Sequence, residues 1–292
     1  MDPSPTATLD LQHALRIAVD AAEAAGRLLR DGARQTVSIA QKDASGDVVS
    51  NLDLAAEQLI VERLQAAFPA HGVLAEEGGM YEAAGDNWVW LVDPLDGTNN
   101  LAIGLQAYVV GVALCERGRP VLGVVHDPVA GQTWSAVRGH GLRHDGGPPP
   151  HVATRTLSSA PVLAWTQGHG VARDDSTARS LRFMLDSSAR RVLQLWAPLV
   201  AWVMLARGDI DGIVGYHPEA IDLPAGALIA SEAGMVVRGL DGGEFDDRME
   251  AGPAERSFVA GPPETIDQLV KLVVAAQWIE PEVHRLLGGL HQ

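Results

Sequence analysis

Residues 88–102, WVWLVDPLDGTNNLA, open as an unbroken apolar run and close on two aspartates, a proline, a glycine and a threonine. An apolar run of this length bounded by turn residues reads as a buried strand, and that strand must carry Asp93 and Asp96 to its end. Pro94 fixes one φ angle and has no N–H to donate, so the reading places the strand end there. The turn beyond it can aim two carboxylates, with the Leu95 carbonyl between them, at one point. Oxygen-only ligands suit Mg²⁺ or Ca²⁺ rather than zinc, and the spacing is not that of an EF-hand, because position 104 is Gly and not a closing Glu. Gly97 permits close backbone approach, and the Gly97 and Thr98 N–H groups form an anion-binding corner. Two cations about 3.5–4 Å apart beside such a corner make a site for phosphoester hydrolysis.

Acids recur at the ends of other strand-like or polar segments: Asp53, Glu76–Glu77 and Asp222. Each has a plainer reading. Asp53 and Asp222 can cap the helices that follow them, with Pro224 in the first turn of the second. Glu76–Glu77 before two glycines can be a solvated turn, and Asp96-Gly97 is a common turn pair. No G-x-S-x-G elbow and no H-E-x-x-H pair competes for the chemistry.

Composition narrows the function classes. A chain of 292 residues can bury a large core as one domain or two interdigitated ones. The single cysteine, Cys115, lies in an apolar run, which excludes an intrachain disulfide and a cysteine-based zinc site. With 22 Lys and Arg against 37 Asp and Glu, the net charge is 22 − 37 = −15. Such a chain repels nucleic-acid backbones and anionic membranes, and an anionic substrate would need bound cations to be held. The opening residues lack the charged start and apolar core of a secretory signal. The stretch 192–206 is too short to span a bilayer and contains Pro198, so the expected location is the cytoplasm.

Periodicity places helices over 9–31, near 53–68, and near 175–186, 197–207, 223–234 and 263–276. Strands are expected at 72–77 and 88–93, in two runs joined at Arg117–Pro120, and in a hairpin turning at Asp145-Gly146. The Gly/Pro cluster at 146–150 is the best linker candidate. It separates an N-terminal half rich in antiparallel strands (about 1–148) from a more alternating α/β half (about 149–292).

LVDPLDGTNN resembles the signature of the inositol monophosphatase family, lithium-sensitive, Mg²⁺-dependent phosphatases. Further ordered matches are KDASGDVVSNLDLAAEQLI (42–60), GVLAEEGG (72–79), RGHGLRHDGG and IDLPAGALIASEAG (221–234), over about residues 10–240. The resemblance implies a layered αβαβα sandwich, a homodimer, and two or three Mg²⁺ per active site. It implies that Glu76, Asp93 and the Leu95 carbonyl hold one Mg²⁺, and that Asp93, Asp96 and Asp222 hold a second. Asp53 and Thr98 would flank the attacking water, with Glu76 helping to activate it. Lys42 would lie in a loop over the site, and the Gly97 and Thr98 amides would receive the phosphate of a small phosphorylated metabolite.

The sequence departs from that family on the substrate side. Trp196-Ala197-Pro198-Leu199 stands where the inositol enzymes carry a Gly-Ser/Thr-Ala-Ala stretch, Gly215 stands for a Glu that binds inositol hydroxyls, and Ile221 stands for a Trp. Trp196, Trp202, His217 and Glu219 are the alternative substrate contacts, with core packing and ordinary loop roles as the plainer readings. The expectation is hydrolysis of an inositol-1-phosphate-like or sugar phosphate. Histidinol phosphate or 3′-phosphoadenosine 5′-phosphate rank next, and a non-catalytic regulator on the same fold ranks last.

Overall fold

The computed structural model describes residues 9–35, 37–42, 47–82, 87–149 and 160–288, with side chains as far as residue 279. Its helices are α1 (Leu11–Gly32), α2 (Asn51–Ala67), α3 (Thr98–Ala102), α4 (Ser176–Ser188), α5 (Pro198–Ala206), α6 (Pro224–Glu232) and α7 (Ile266–Gly288). The first strands are β1 (Ile39–Gln41), β2 (Val48–Ser50), β3 (Gly72–Ala75), β4 (Gly79–Tyr81) and β5 (Trp88–Asp96). Next come β6 (Val109–Glu116), β7 (Arg119–Asp127), β8 (Gln132–Val137) and β9 (Leu142–His144). The last are β10 (Val162–Gln167), β11 (Arg191–Leu193), β12 (Gly212–Tyr216), β13 (Val236–Gly239) and β14 (Phe258–Gly261).

Side-chain alternation along these strands builds the layers. In β5, Trp90 and Val92 join an outer core with α1 and α2, while Leu91 points the other way, onto α5 and α6. In β6, Val110, Val112 and Leu114 face the outer core, and Ala113 and Cys115 face inward. The second sheet repeats the rule in mirror fashion. Ala164, Ile213, Phe258 and Ala260 pack on α5 and α6, and Leu163, Val214 and Val259 pack on α4 and α7. The result is five layers, α1/α2, sheet, α5/α6, sheet, α4/α7, as the αβαβα expectation requires.

The larger sheet runs β4-β3-β5-β6-β7-β8-β9 and the smaller β11-β10-β12-β14-β13, with β1 and β2 paired apart. The larger sheet is antiparallel except where β3 lies parallel to β5. In the smaller, β11, β10 and β12 are parallel, and β14 and β13 complete it antiparallel. All described strands before residue 145 lie outside the five-stranded sheet.

Three local expectations are corrected. Strand β5 does not stop at Pro94 but runs to Asp96. The ladder to β6 holds as far as Asp93↔Gly111 and resumes at Asp96↔Val109, so three steps on β5 oppose two on β6. Pro94 falls in this bulge, where the ladder asks for no N–H. The β8–β9 hairpin turns at residues 138–141, and Asp145-Gly146 forms the next turn, closed by the His144↔Gly147 bridge. Helix α2 starts earlier than residue 53: Ser50 is its N-cap and Asp53 its third residue, in a reciprocal capping box. Of the linker candidate, Pro150 lies outside the described residues.

Trp202 of α5 is 1% exposed and stacks on Phe258 with ring centroids 4.7 Å apart. It is a core residue of the central layer and not a substrate contact. Trp202→Ala should lower the unfolding free energy by about 3–5 kcal/mol, as for other large aromatic truncations, and urea denaturation measures it.

Candidate functional site

Four strand ends meet at one cavity of about 220 Å³. The residues following β3 bring Glu76, the end of β5 brings Asp93 to Asp96, the end of β10 brings Gln167 to Arg173, and the residues after β12 bring Glu219 and Asp222. All four approach by their carboxyl ends, which for the parallel pairs β3–β5 and β10–β12 is the side where parallel strands place their ligands.

Asp93 lies on the same face of β5 as Leu91 and so points into the α5/α6 layer, where it is 2% exposed. Its ladder partner is Gly111, where a Cβ would stand 2.3 Å from Leu199 Cδ1 and 3.5 Å from Asp93 Cβ. Only a glycine leaves room for α5 to press against the sheet beside the carboxylate. Helix α5 has no side-chain cap of its own at Ala197. Asp96 supplies one from the other sheet: its Oδ2 accepts from Leu199 N–H at 2.6 Å. Asp222 precedes α6 but caps nothing, since that helix has Leu223 as N-cap and no side-chain cap bond. The capping explanation for Asp222 therefore fails, and its carboxylate lines the cavity.

Asp53 is fully buried, and both its oxygens are engaged. Oδ2 accepts from Ser50 N–H at 2.9 Å and from the Ser50 hydroxyl, and Oδ1 accepts from Thr98 Oγ1 at 2.6 Å. The Leu95 carbonyl lies 3.0 Å from the same Thr98 oxygen. Gly97 adopts φ 109°, and a Cβ there would meet the Ala107 carbonyl at 2.8 Å, so no other residue fits this corner.

The β3–β4 turn is fixed from α2. Glu57 accepts from Glu77 N–H at 2.7 Å and from Gly78 N–H at 2.8 Å. Lys42 reaches over this turn, with its ammonium 2.7 Å from Glu76 Oε1, 2.5 Å from Glu77 Oε1 and 3.6 Å from Asp47. Burial opposes the Lys42 charge, but Glu76 and Glu77 more than offset it and hold its pKa above the usual lysine range.

The acids show the opposite strain. Burial, then Glu76, Asp96 and Asp222, push Asp93 well above the usual carboxylate range. Burial and Asp222 do the same to Asp96, against the helix N–H groups that lower it. Asp222 is lifted to about 8 by burial, Glu76, Glu219 and Asp47. Burial raises Glu77 to about 7. Like charges this close and this poorly hydrated cannot all be ionised without an added cation. Among the described residues, no three His, Cys, Asp or Glu side chains are drawn into a closed ligand shell.

The substrate-side residues divide. Trp196 lines the cavity, is 56% exposed and holds a left-handed φ of 48°. Glu219 also lines it. His217 does not; its ring stacks on Tyr216 at 4.1 Å, and its N–H donates to Ser257 Oγ at 3.0 Å. Gly215 faces Phe258, whose ring carbon would be 2.1 Å from a Cβ, so no side chain could enter from there. Sequence reasoning passed over Asp47, Asn99, Gln167, His169, Arg173 and Gln194, all in the lining. The polar, glycine-containing run QGHGVARDD between β10 and α4 was the available signal for three of them.

Comparison with known proteins agrees with this architecture. The family model described as "Inositol monophosphatase family" matches residues 10–278. The Nus factor SuhB of Pseudomonas aeruginosa is 32% identical over 240 residues, 80% of this chain and 87% of that protein. Inositol monophosphatase 1 of Solanum lycopersicum is 31% identical over 81% of this chain and 88% of its own. The crystal structure of the extragenic suppressor protein SuhB from Bartonella henselae superposes with a TM-score of 0.79 at 25% identity, covering 89% of this chain and 98% of that one. Inositol monophosphatase from Anabaena gives 0.76 at 25%, covering 91% and 97%. Among the described residues, no helix is long and apolar enough to cross a membrane. With its five layers, its acid-lined cavity and a family match along nearly its whole length, this chain belongs to the inositol monophosphatase family.

Proposed function

We propose that this protein is a Mg²⁺-dependent phosphatase that hydrolyses a small phosphate monoester by attack of water. The observation that carries the reading is the meeting of Asp93, Asp96 and Asp222 with Glu76 in one cavity, charged against one another and partly neutralised by a lysine. The donors are all oxygens, which fits a hard divalent cation. Glu76, Asp93, the Leu95 carbonyl, Asp96 and Asp222 would hold the Mg²⁺ ions. Bound there, Mg²⁺ supplies ionised water near neutral pH and charge to stabilise the departing alkoxide.

The remaining parts belong to the chain itself. Thr98 Oγ1, held by Asp53 at 2.6 Å, orients the water and passes a proton toward that carboxylate. The Gly97 and Thr98 N–H groups bind the phosphate oxygens, in a corner that φ 109° at Gly97 keeps open. Lys42 covers Glu76 and Glu77 from the β1–β2 side and adds positive charge at the cavity edge. Location in the cytoplasm and pairing as a homodimer are readings that rest on family membership, with exposed Ile103 and Leu105 after α3 as apolar side chains a second copy could cover.

A second reading has its own observation, the name Nus factor carried by the SuhB relatives. In that reading the chain regulates through partners and does not turn over. The net charge of −15 disfavours direct contact with nucleic acid, and every acid of the site is retained, which a purely regulatory chain does not need.

Phosphate release from small monoesters should vanish with EDTA and return with excess Mg²⁺; release that ignores chelation overturns the metal reading, and no release from any ester favours the regulator. Asp93→Asn should cut turnover by about a hundredfold or more. The same substitution removes one of the repelling charges, so the metal-free protein should melt no lower than wild type in a thermal scan.

The raised pKa of Asp222 also sets a pH dependence. A carboxyl whose folded pKa of about 8 exceeds its unfolded value near 4 contributes stability that is complete below pH 4 and lost as pH rises through 8. Metal-free protein should therefore melt at a lower temperature at pH 8.5 than at pH 6, and Mg²⁺ should raise the melting temperature more at the higher pH. Calorimetry with and without EDTA at both pH values checks the sign.

A further inference from the structure

Arg173 is the arginine among the residues that line the cavity, and it is exposed to solvent. Asp47, Glu76, Asp93, Asp96, Glu219 and Asp222 supply the lining carboxylates, and all but Glu219 and Asp222 come from the β1–β2 and β5 side. Arg173 comes from the opposite side, on the connection between β10 and α4. The other basic groups near the cavity are already engaged: Lys42 by Glu76 and Glu77, and His169 with its Nε2 3.7 Å from Asp47. Arg173 makes no ion pair among the described residues, although it lies in an acidic cavity of an acidic protein.

The segment that carries Arg173 is fixed and does not hang free. Val171 N–H donates to Gly168 O at 3.2 Å, Asp175 N–H donates to Ala172 O at 3.0 Å, and the Arg173 carbonyl accepts from Arg179 Nε at 2.8 Å. Of the two acids that follow it, Asp175 is committed to capping α4 through Ala178 N–H at 2.8 Å, and Asp174 is exposed and makes no ion pair with Arg173. Gln167, beside it in the wall, has its Oε1 held by Trp165 Nε1 at 3.1 Å, which turns the amide NH₂ outward as a donor. On this wall, then, a charged fork and an amide donor stand ready for an acceptor. Gly215 offers no hydroxyl-binding side chain, since Phe258 fills the space that one would need there.

We propose that Arg173 is a specificity-determining residue, and that the leaving group of the substrate carries a second anionic group, phosphate or carboxylate, that Arg173 binds. This deepens the phosphatase reading and rests on it. With the scissile phosphate at Gly97 and Thr98, the remainder of the substrate crosses the cavity past Trp196 toward the β10–α4 wall. A neutral polyol phosphate leaves the Arg173 fork without a partner, and a cationic leaving group is repelled by it.

The test compares Mg²⁺-loaded wild type, Arg173→Gln and Arg173→Lys on five esters. Fructose 1,6-bisphosphate offers a second phosphate and 3-phosphoglycerate a carboxylate; inositol 1-phosphate and glycerol 2-phosphate are neutral beyond the ester; histidinol phosphate carries an amine. The expected result is a wild-type preference in kcat/KM for the first two esters. Arg173→Gln should shrink that preference about tenfold through KM, and Arg173→Lys should restore part of it. Which of the two anionic esters leads distinguishes phosphate from carboxylate. A preference ratio that Arg173→Gln leaves unchanged, or a wild-type preference for the neutral or cationic esters, overturns the role of Arg173 while leaving the phosphatase reading standing. Hydrolysis of none of the five overturns the phosphatase reading and the inference with it.

Discussion

Carboxylates gathered with too little positive charge are the constraint on which the active end of this fold depends. Asp93 and Asp96 are buried and Asp222 is partly buried; besides burial itself, Glu76 raises the pKa of all three, and Asp222 raises those of Asp93 and Asp96. A hydrophobic core of ordinary packing would expel such groups. They stay because the surrounding elements leave them little choice. Asp93 is pinned in the ladder opposite Gly111, and Asp96 is fastened to the first turn of α5. Two layers that bury large aromatic and aliphatic side chains supply the stability that this repulsion reduces.

The same residues thus serve architecture and chemistry together. Asp96 joins the seven-stranded sheet to the central helix layer, so its carboxylate cannot drift when the charge in the cavity changes. Asp53 is at once the third residue of a capping box and the partner of Thr98. Glu57 never reaches the cavity, yet by holding the Glu77 and Gly78 N–H groups it fixes the turn that presents Glu76. A site built from side chains that are each committed twice is stiff, as the precise placement of any bound group requires.

Much of this was legible in the sequence, and the reason differs from residue to residue. The apolar face of α1 is a periodic signal that marks a surface helix, whereas α5 is apolar all round, and the layered order was implied by the family resemblance and not by periodicity. The acids of the Asp93–Thr98 stretch stood out because proline, glycine and aspartate there each have a backbone reason. What sequence could not show was pairing. The bulge that carries β5 through Pro94 depends on the register against β6, and the true turn of the β8–β9 hairpin depends on which strand β9 meets. Asp222 looked like a helix cap because local spacing allows it; only the third dimension shows Leu223 at the cap position and Asp222 in the cavity. Trp202 and His217 were open between core and site for the same reason, since a residue's partners, and not its type, decide that question.

The substrate side was the least legible because it is assembled from contacts distant in sequence. Asn100 Nδ2, two residues into α3, donates to the Leu195 carbonyl and to the Ala107 carbonyl at 2.6 Å, and so ties the Gly97–Thr98 corner to the residue before Trp196. Trp196 then takes a left-handed φ, and the chain turns sharply into Pro198 at the head of α5. The Gly97–Thr98 corner, the exposed indole and the Asp96-capped helix are therefore joined through one set of contacts, and Arg173 lies on a different connection, between β10 and α4. A change at Arg173 can arise without disturbing Asp93 and Asp96, which end β5 in the other sheet, whereas Asp222 follows β12, the neighbour of β10, and shares the Arg173 side. That separation lets the Asp93–Thr98 stretch stay fixed while residues on the β10–α4 connection change.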